Sequence, residues 1–274
     1  MSVKTKGLDD LVDWFVSNSD SAVIALSGGV DSAVVALAAR KALGDRALAV
    51  TADYKTLSQE ELDSARSVAR EIGIAHRVIQ YDELENPEFV KNDGLRCYHC
   101  RTELGRHLAE EARKAGISLM VDGTNLDDLS DYRPGIRALR ENGVRSPMVE
   151  LGIDKTKVRE IAKNSGLSIY DKPSNACLAS RIPAGTQVTY EKLQRIESSE
   201  IMVKTIFGVR QARVRDHGEV ARVEVGKDEL GKMFDADRLA LLDRKLKELG
   251  FKFVSIDAAG YGGGKLAIVG DQDE

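Results

Sequence analysis

No apolar run in this chain approaches the roughly 20 residues that a helix needs to cross a bilayer. The opening stretch, MSVKTKGLDDLVDWF, also lacks the apolar centre of a signal peptide, so a cytoplasmic protein is expected. Cysteine is scarce: Cys97, Cys100 and Cys177 are the three among 274 residues. In a reducing compartment they are expected as thiols or metal ligands, not as a disulfide framework. Basic charge is not in excess. A net charge of −4 argues against a nucleic-acid scaffold, which carries a dense Lys/Arg footprint. No internal repeat is visible. What is present, with 42% hydrophobic residues, suffices to bury one large core, or one medium and one small.

Leu8, Leu11, Val12 and Phe15 recur at helical spacing and predict an opening amphipathic helix. From Ala22 strands and helices alternate. Strands are expected at 22–26, 46–52, 74–81 and 117–121, and helices at 32–43, 59–72, 102–115 and 155–165. This alternation predicts an α/β, Rossmann-like fold, a parallel sheet with helices on both faces. After about residue 185 the rhythm changes to α+β. A helix at 190–206 is followed by a hairpin, 211–215 and 219–225, around Asp216-His217-Gly218; a long helix at 228–249 and a strand at 251–258 complete it. Two domains are therefore expected, 1–184 and 185–274, with the terminal YGGGK and DQDE mobile.

The stretch AVIALSGGVDSAVVALAAR, 22–40, joins a buried strand to a helix through two glycines. In a parallel sheet, ligands sit beyond the carboxyl ends of the strands, where the turn from Ser27 to Ser32 lies. Gly28 and Gly29 are expected to use unusual φ values and to let the backbone approach a ligand. The helix amides bring roughly half a positive charge to that point, which suits a phosphate. Ser27 and Ser32 can add hydroxyl donors. Two glycines alone would be read first as a tight strand-to-helix turn that needs them only for packing. The full string SGGVDS, through Asp31, resembles the PP-loop of ATP pyrophosphatases, which grips the pyrophosphate portion of ATP during adenylyl transfer. It has neither the Gly-Lys-Ser/Thr ending of a Walker loop nor a GxGxxG fingerprint.

Asp53, ending the second strand, is placed to meet the adenosine, and reads equally well as a solvated strand-end carboxylate. Asp122-Gly123-Thr124-Asn125, followed by Asp127 and Asp128, closes the fourth strand on the same rim. Such a rim can hold Mg²⁺, with Asp128 the candidate ligand, although Asp127 or Asp128 can equally cap the next segment.

The pair in RCYHCRTEL can be a redox couple, half of a zinc site, part of an iron–sulfur site, or two plain thiols. Zinc would need His99 or His107 to complete four ligands. Three thiolates on a cubane would leave one iron open to sulfide or substrate. Spacing alone leaves these open. Cys177 lies between Lys172 and Arg181, which would stabilise a thiolate able to attack an acyl-adenylate. A small buried hydrophobe is the plainer reading.

In order along the chain stand SGGVDS, RCYHCR, DGTNLDD, DYRPG, RSPMVELGIDKTKVR, DKPSNACLASRIP and QARVRDHGEVARVEV. From about residue 8 to about 260 this series resembles the LarE family, ATP-dependent sulfur transferases of nickel-pincer nucleotide cofactor synthesis. The resemblance implies ATP·Mg²⁺ activation of a carboxylate of pyridinium-3,5-biscarboxylic acid mononucleotide, followed by sulfur displacement of AMP. In members with only the CLASRIP cysteine, that side chain gives up its sulfur and ends as dehydroalanine. Adding Cys97 and Cys100 makes this chain resemble the subgroup in which three cysteines hold a 4Fe-4S cluster carrying a transferable sulfide. The resemblance further makes Arg213 and Arg215, alternate residues on one strand, the clamp for the substrate phosphate. Arg181 is another candidate anion contact; Glu200 and Glu224, ordinary surface carboxylates if taken singly, match acidic positions that the family places near the substrate pocket, and Lys155 is a candidate to reach the ATP phosphates or to pair with a neighbouring acid. It implies a homo-oligomer. The competing readings are 2-thiolation of a tRNA base, an amide-forming ligase, for which no glutaminase nucleophile is visible, and a nucleotide-binding regulator with structural zinc.

Overall fold

A strand that reads AVIA without alternation must be covered on both faces. The computed structural model, which describes residues 7–130 and 134–261, shows how this is done. The first three residues of DYRPG and everything after Tyr261 lie outside the described residues. The chain runs α1 (Leu8–Asn18), β1 (Ala22–Ala25), α2 (Val30–Leu43), β2 (Ala47–Asp53), α3 (Gln59–Ile72), β3 (Ala75–Gln80), α4 (Pro87–Val90) and α5 (Arg96–Ala115). It continues β4 (Leu119–Val121), α6 (Pro134–Glu141), β5 (Val144–Arg145), α7 (Pro147–Leu151) and α8 (Lys155–Asn164).

The five strands pair in parallel in the order β3-β2-β1-β4-β5. The strand order reverses between β1 and β4, so the loops leaving these strands diverge and open a crevice at their carboxyl ends. On one face α2 is alanine- and valine-rich; Ala33, Val34, Val35, Ala36, Ala38 and Ala39 are all fully buried. Leu11 and Phe15 of α1 are fully buried in the same cluster. On the other face Leu104, Leu108 and Ala112 of α5 pack with Val23, Val50 and Met120. Both layers are thus apolar where they meet the sheet, the arrangement that an α/β pattern predicts.

The remaining elements are α9 (Tyr190–Phe207), β6 (Ala212–His217), β7 (Val220–Val225), α10 (Ala236–Glu248) and β8 (Phe253–Ile256). β6 and β7 pair antiparallel around Gly218, whose φ is +74°, and β8 joins β7 in parallel. Val203, Phe207, Val214, Val223, Met233, Leu242 and Leu246 form their core. The helix expected over 228–249 is two pieces. A 3₁₀ segment, Lys227–Met233, buries Met233, and Asp235 then caps α10 by accepting the Arg238 amide at 3.0 Å. A side-chain cap within the run stops one helix and starts another. β5 and the short helices α4, α6 and α7 were not foreseen, being too short to show a period.

Two compact units result: Met1–Phe89 with Leu95–Asn175, and Val90–Gly94 with Ala176–Glu274. The division thus falls nine residues before the expected 184, and the CLASRIP segment goes with the second unit. That unit also takes in a short piece from far upstream. Gly185 N donates to Asn92 O at 2.9 Å and Val188 N to Val90 O at 3.0 Å. The Asn92 side chain donates to Pro183 O at 2.9 Å and Thr186 O at 2.8 Å. No helix among the described residues is long and apolar enough to cross a membrane.

Candidate active site: a phosphate cradle and an arginine cluster

Where β1 ends, Leu26 N still donates to Val50 O of β2 at 2.9 Å. The chain then bends. Gly28 has φ +79°, and a Cβ there would lie 2.4 Å from the Glu61 carbonyl. Both facts require glycine. Gly29 is different: its φ of −92° is ordinary extended backbone, so the expectation of unusual φ at both glycines holds for Gly28 alone. Ser32 Oγ closes the turn, accepting from Ser27 N at 3.1 Å and donating to Gly29 O at 3.1 Å. Its hydroxyl also lies 3.1 Å from that of Ser27. The amides that open α2 face this turn with the positive end of the dipole, the arrangement that binds phosphate.

Two elements converge on the side chain of Asp31. Asn125 Nδ2, from the loop after β4, donates to Oδ1 at 3.1 Å, and Lys155 Nζ, from the start of α8, donates to Oδ2. Lys155 is fixed in turn because its amide donates to Asp127 Oδ2 at 3.0 Å. Gly123 lets this loop close on the helix: a Cβ there would lie 2.6 Å from Ser32 N. Asp128, expected as a magnesium ligand, accepts the Asn125 amide at 3.0 Å and so shapes the rim. Asp53 ends β2 on the same edge, with Oδ2 accepting from Gln80 Nε2 at 2.9 Å. Mg²⁺ needs only one or two carboxylates beside substrate phosphates. The donor chemistry of Asp31 beside the cradle fits that demand.

The CxxC pair, expected ahead of a helix, lies inside one: α5 starts at Arg96. Cys97 and Cys100 are therefore one turn apart on one face. Cys97 is exposed and Cys100 buried. Behind Cys100 stands a residue that sequence reasoning missed, the fully buried Glu83, whose Oε2 accepts from Thr56 Oγ1 at 2.5 Å. Burial pushes the Glu83 carboxyl up, against hydrogen bonds from Cys100 and Thr56 that pull it down. Nothing in the run YDELENPEF marks Glu83 as buried, since three other acids surround it. None of the three cysteines is in a disulfide, and their thiols are soft donors suited to iron or zinc. Among the described residues, no group of three or more His, Cys, Asp or Glu side chains is arranged to hold a metal ion.

In the second unit, basic and acidic side chains interlock. Arg181 is 1% exposed; its Nε and Nη2 donate to the two oxygens of Glu200 at 2.8 and 3.2 Å. Its Nη1 donates to the carbonyls of Ala176 and Cys177 at 2.6 and 3.0 Å. Arg181, expected as an anion contact, grips the turn that carries Cys177. Arg215 makes a forked pair with Glu224, at 2.6 and 3.0 Å, and Arg222 donates to the same carboxylate at 2.8 Å. Arg213 lies with its guanidinium 3.8 Å from the centre of the Tyr261 ring. Burial, with repulsion from Arg181, lowers the Arg213 pKa to about 10, so it is cationic at neutral pH. A buried cation under like-charge repulsion favours an incoming anion.

A parallel sheet of this order, carrying SGGVDS at the glycine bend into its first helix, places the chain in the PP-loop class of ATP-using enzymes. The family model of the queuosine biosynthesis protein QueC matches residues 21–96, the part that holds the cradle. A Synechocystis protein of uncharacterised role is 43% identical over 92% of this chain and 94% of its own length. The pyridinium-3,5-bisthiocarboxylic acid mononucleotide synthase of Lactiplantibacillus plantarum is 32% identical over 89% of this chain and 87% of its own. A tRNA-specific 2-thiouridylase of Azorhizobium caulinodans is 28% identical over 70% of this chain and 59% of its own. The chain belongs to the LarE family of ATP-dependent sulfur transferases.

Proposed function

We propose that the protein converts the carboxylates of pyridinium-3,5-biscarboxylic acid mononucleotide to thiocarboxylates, for a nickel-pincer nucleotide cofactor. Family membership across nearly the whole chain is the observation that carries this reading. The triphosphate of ATP lies on the α2 amides, with Ser27, Gly28, Gly29 and Ser32 around it and the adenosine towards Asp53. Asp31 and Asp128 are the carboxylates that would hold Mg²⁺, which when bound offsets the charge of the phosphates. Lys155, whose ammonium is paired with Asp31 at the mouth of the cradle, is the cation within reach of the phosphates.

A substrate carboxylate oxygen attacks the α-phosphorus, and the bond to the bridging oxygen breaks. Pyrophosphate leaves with the electron pair. A sulfur nucleophile then attacks the acyl carbon and AMP leaves, so a C–S bond replaces the C–O bond to the phosphorus. A second round treats the other carboxylate. Arg213 and Arg215 bind the substrate phosphate, while Glu200 and Glu224 hold the arginine cluster in place. The described residues present no ready-made metal site; the thiols of Cys97, Cys100 and Cys177 are of the chemistry that would hold a 4Fe-4S cluster, which when bound supplies a carrier for transferable sulfide. The protein is proposed to be cytoplasmic and to work as a homo-oligomer.

The test is anaerobic incubation with ATP, Mg²⁺, sulfide and the biscarboxylated mononucleotide, followed by mass spectrometry of small molecules and protein. Cys177→Ala and Cys97→Ala are both expected to lose sulfur transfer while keeping part of AMP formation. Full product from Cys97→Ala, together with a chain lighter by one H₂S after reaction, would replace the cluster route by donation of the Cys177 sulfur itself. No AMP from the wild-type chain with its acceptor present would end the proposal.

A further inference from the structure

The peptide between Gly28 and Gly29 carries two groups that matter. Its N–H belongs to Gly29, which caps the start of α2, and its carbonyl to Gly28. In a trans peptide these groups point in opposite directions. Whatever holds the carbonyl therefore aims the amide. Two donors from outside the loop hold Gly28 O: Ser64 Oγ of α3 at 2.9 Å, and Lys172 Nζ at 3.0 Å. The ammonium is itself fixed at 3.0 Å by Glu61, a carboxylate of 8% exposure. The other oxygen of Glu61 accepts from Asn175 Nδ2 at 3.3 Å. The Lys172 side chain is only 17% exposed, so this is an anchored cation and not a solvated one.

The geometry points to Lys172 as a positioning residue for the phosphate cradle: through the Gly28 carbonyl it sets the Gly29 amide towards the bound nucleotide's phosphates. Turning that peptide over would break both bonds and leave the Lys172–Glu61 pair without its third member. A cation on the carbonyl also polarises the peptide, which makes the amide on the other end a stronger donor. Ser64 performs the same task without charge. Gly28 is the hinge that makes the orientation attainable, because φ +79° is one that residues with a side chain rarely adopt. The inference rests on the ATP reading of the cradle and adds the residue by which that cradle is set.

The experiment measures equilibrium binding of Mg·ATP, pyrophosphate and adenosine to the full chain and to Lys172→Met, Lys172→Arg and Ser64→Ala. Lys172→Met is expected to weaken ATP and pyrophosphate about tenfold, as loss of one charge-assisted hydrogen bond would. Adenosine, which lacks phosphates, is expected to bind unchanged. Lys172→Arg should recover most of the loss, and Ser64→Ala should cost about threefold. Equal weakening of adenosine and ATP in a folded variant, or no weakening of either, overturns the inference. If Lys172→Met does not fold, Lys172→Gln, which also removes the charge, decides by the same comparison. A wild-type chain that binds neither ATP nor pyrophosphate overturns the nucleotide reading itself, and this inference with it.

Discussion

The cradle and the arginine cluster are both proposed to bind phosphate, but they are built in opposite ways. The cradle offers backbone amides at a helix start, in a loop whose shape depends on one glycine that cannot carry a side chain. The cluster uses guanidinium groups held in place by buried carboxylates: Glu200 on Arg181 and Glu224 on Arg215. A backbone site is cheap in charge and intolerant of shape. A side-chain site tolerates shape but depends on compensation, because a cation out of water costs several kcal/mol unless it is paired. The two regions should therefore fail differently when damaged.

The largest effect is expected in the cradle. Gly28→Ala places a Cβ against the Glu61 backbone and strains φ, which should abolish measurable ATP binding and cost about 2 kcal/mol of stability or more. Calorimetry with Mg·ATP checks this, and near-normal affinity would show that the bend is not shape-limited. In the cluster the expected loss is of stability. Glu200→Ala leaves the fully buried Arg181 side chain without its carboxylate, at a cost of about 3 kcal/mol, read as a shift in the urea midpoint. An unshifted midpoint would mean that carbonyls alone satisfy Arg181.

The smallest effect is in pH dependence. His76 Nε2 lies 2.8 Å from Thr51 Oγ1, which donates to Leu26 O just before the cradle. Burial, then repulsion from Arg66, lowers the His76 pKa below its usual 6.5. The folded state thus disfavours the protonated ring. The stability tied to the neutral ring is complete above pH 6.5 and is lost as pH falls below it towards the folded-state value. Melting temperature should drop modestly from pH 7.5 to 5.5, and His76→Gln should flatten part of the drop. A wild-type curve flat over that range contradicts it.

What could be read from the residues alone follows the same division. SGGVDS is six contiguous residues whose shape is set locally, so its position after β1 was legible, as was the sheet from its strand–helix alternation. The sequence does not separate Gly28 from Gly29, because the motif treats the two glycines as equivalent, while only Gly28 meets neighbouring backbone. The CxxC pair was placed outside a helix because cysteine and histidine carry weak helical preference. There α5 is set by Leu104 and Leu108 further along, which pack against the sheet. Arg181 and Glu200 lie nineteen residues apart, and no periodicity reports that they pair. Glu83 with Thr56 was invisible for the same reason: burial of a carboxylate is a property of the neighbours that surround it.

The upstream piece Val90–Gly94 sets the terms for cutting this molecule. A fragment that starts at residue 176 leaves behind the strip whose carbonyls receive the Gly185 and Val188 amides, and with it the Asn92 side chain that donates to Pro183 and Thr186. Neither half is a continuous stretch of gene. Anyone wishing to express the C-terminal part separately would need to graft those five residues onto it, or supply them as a peptide.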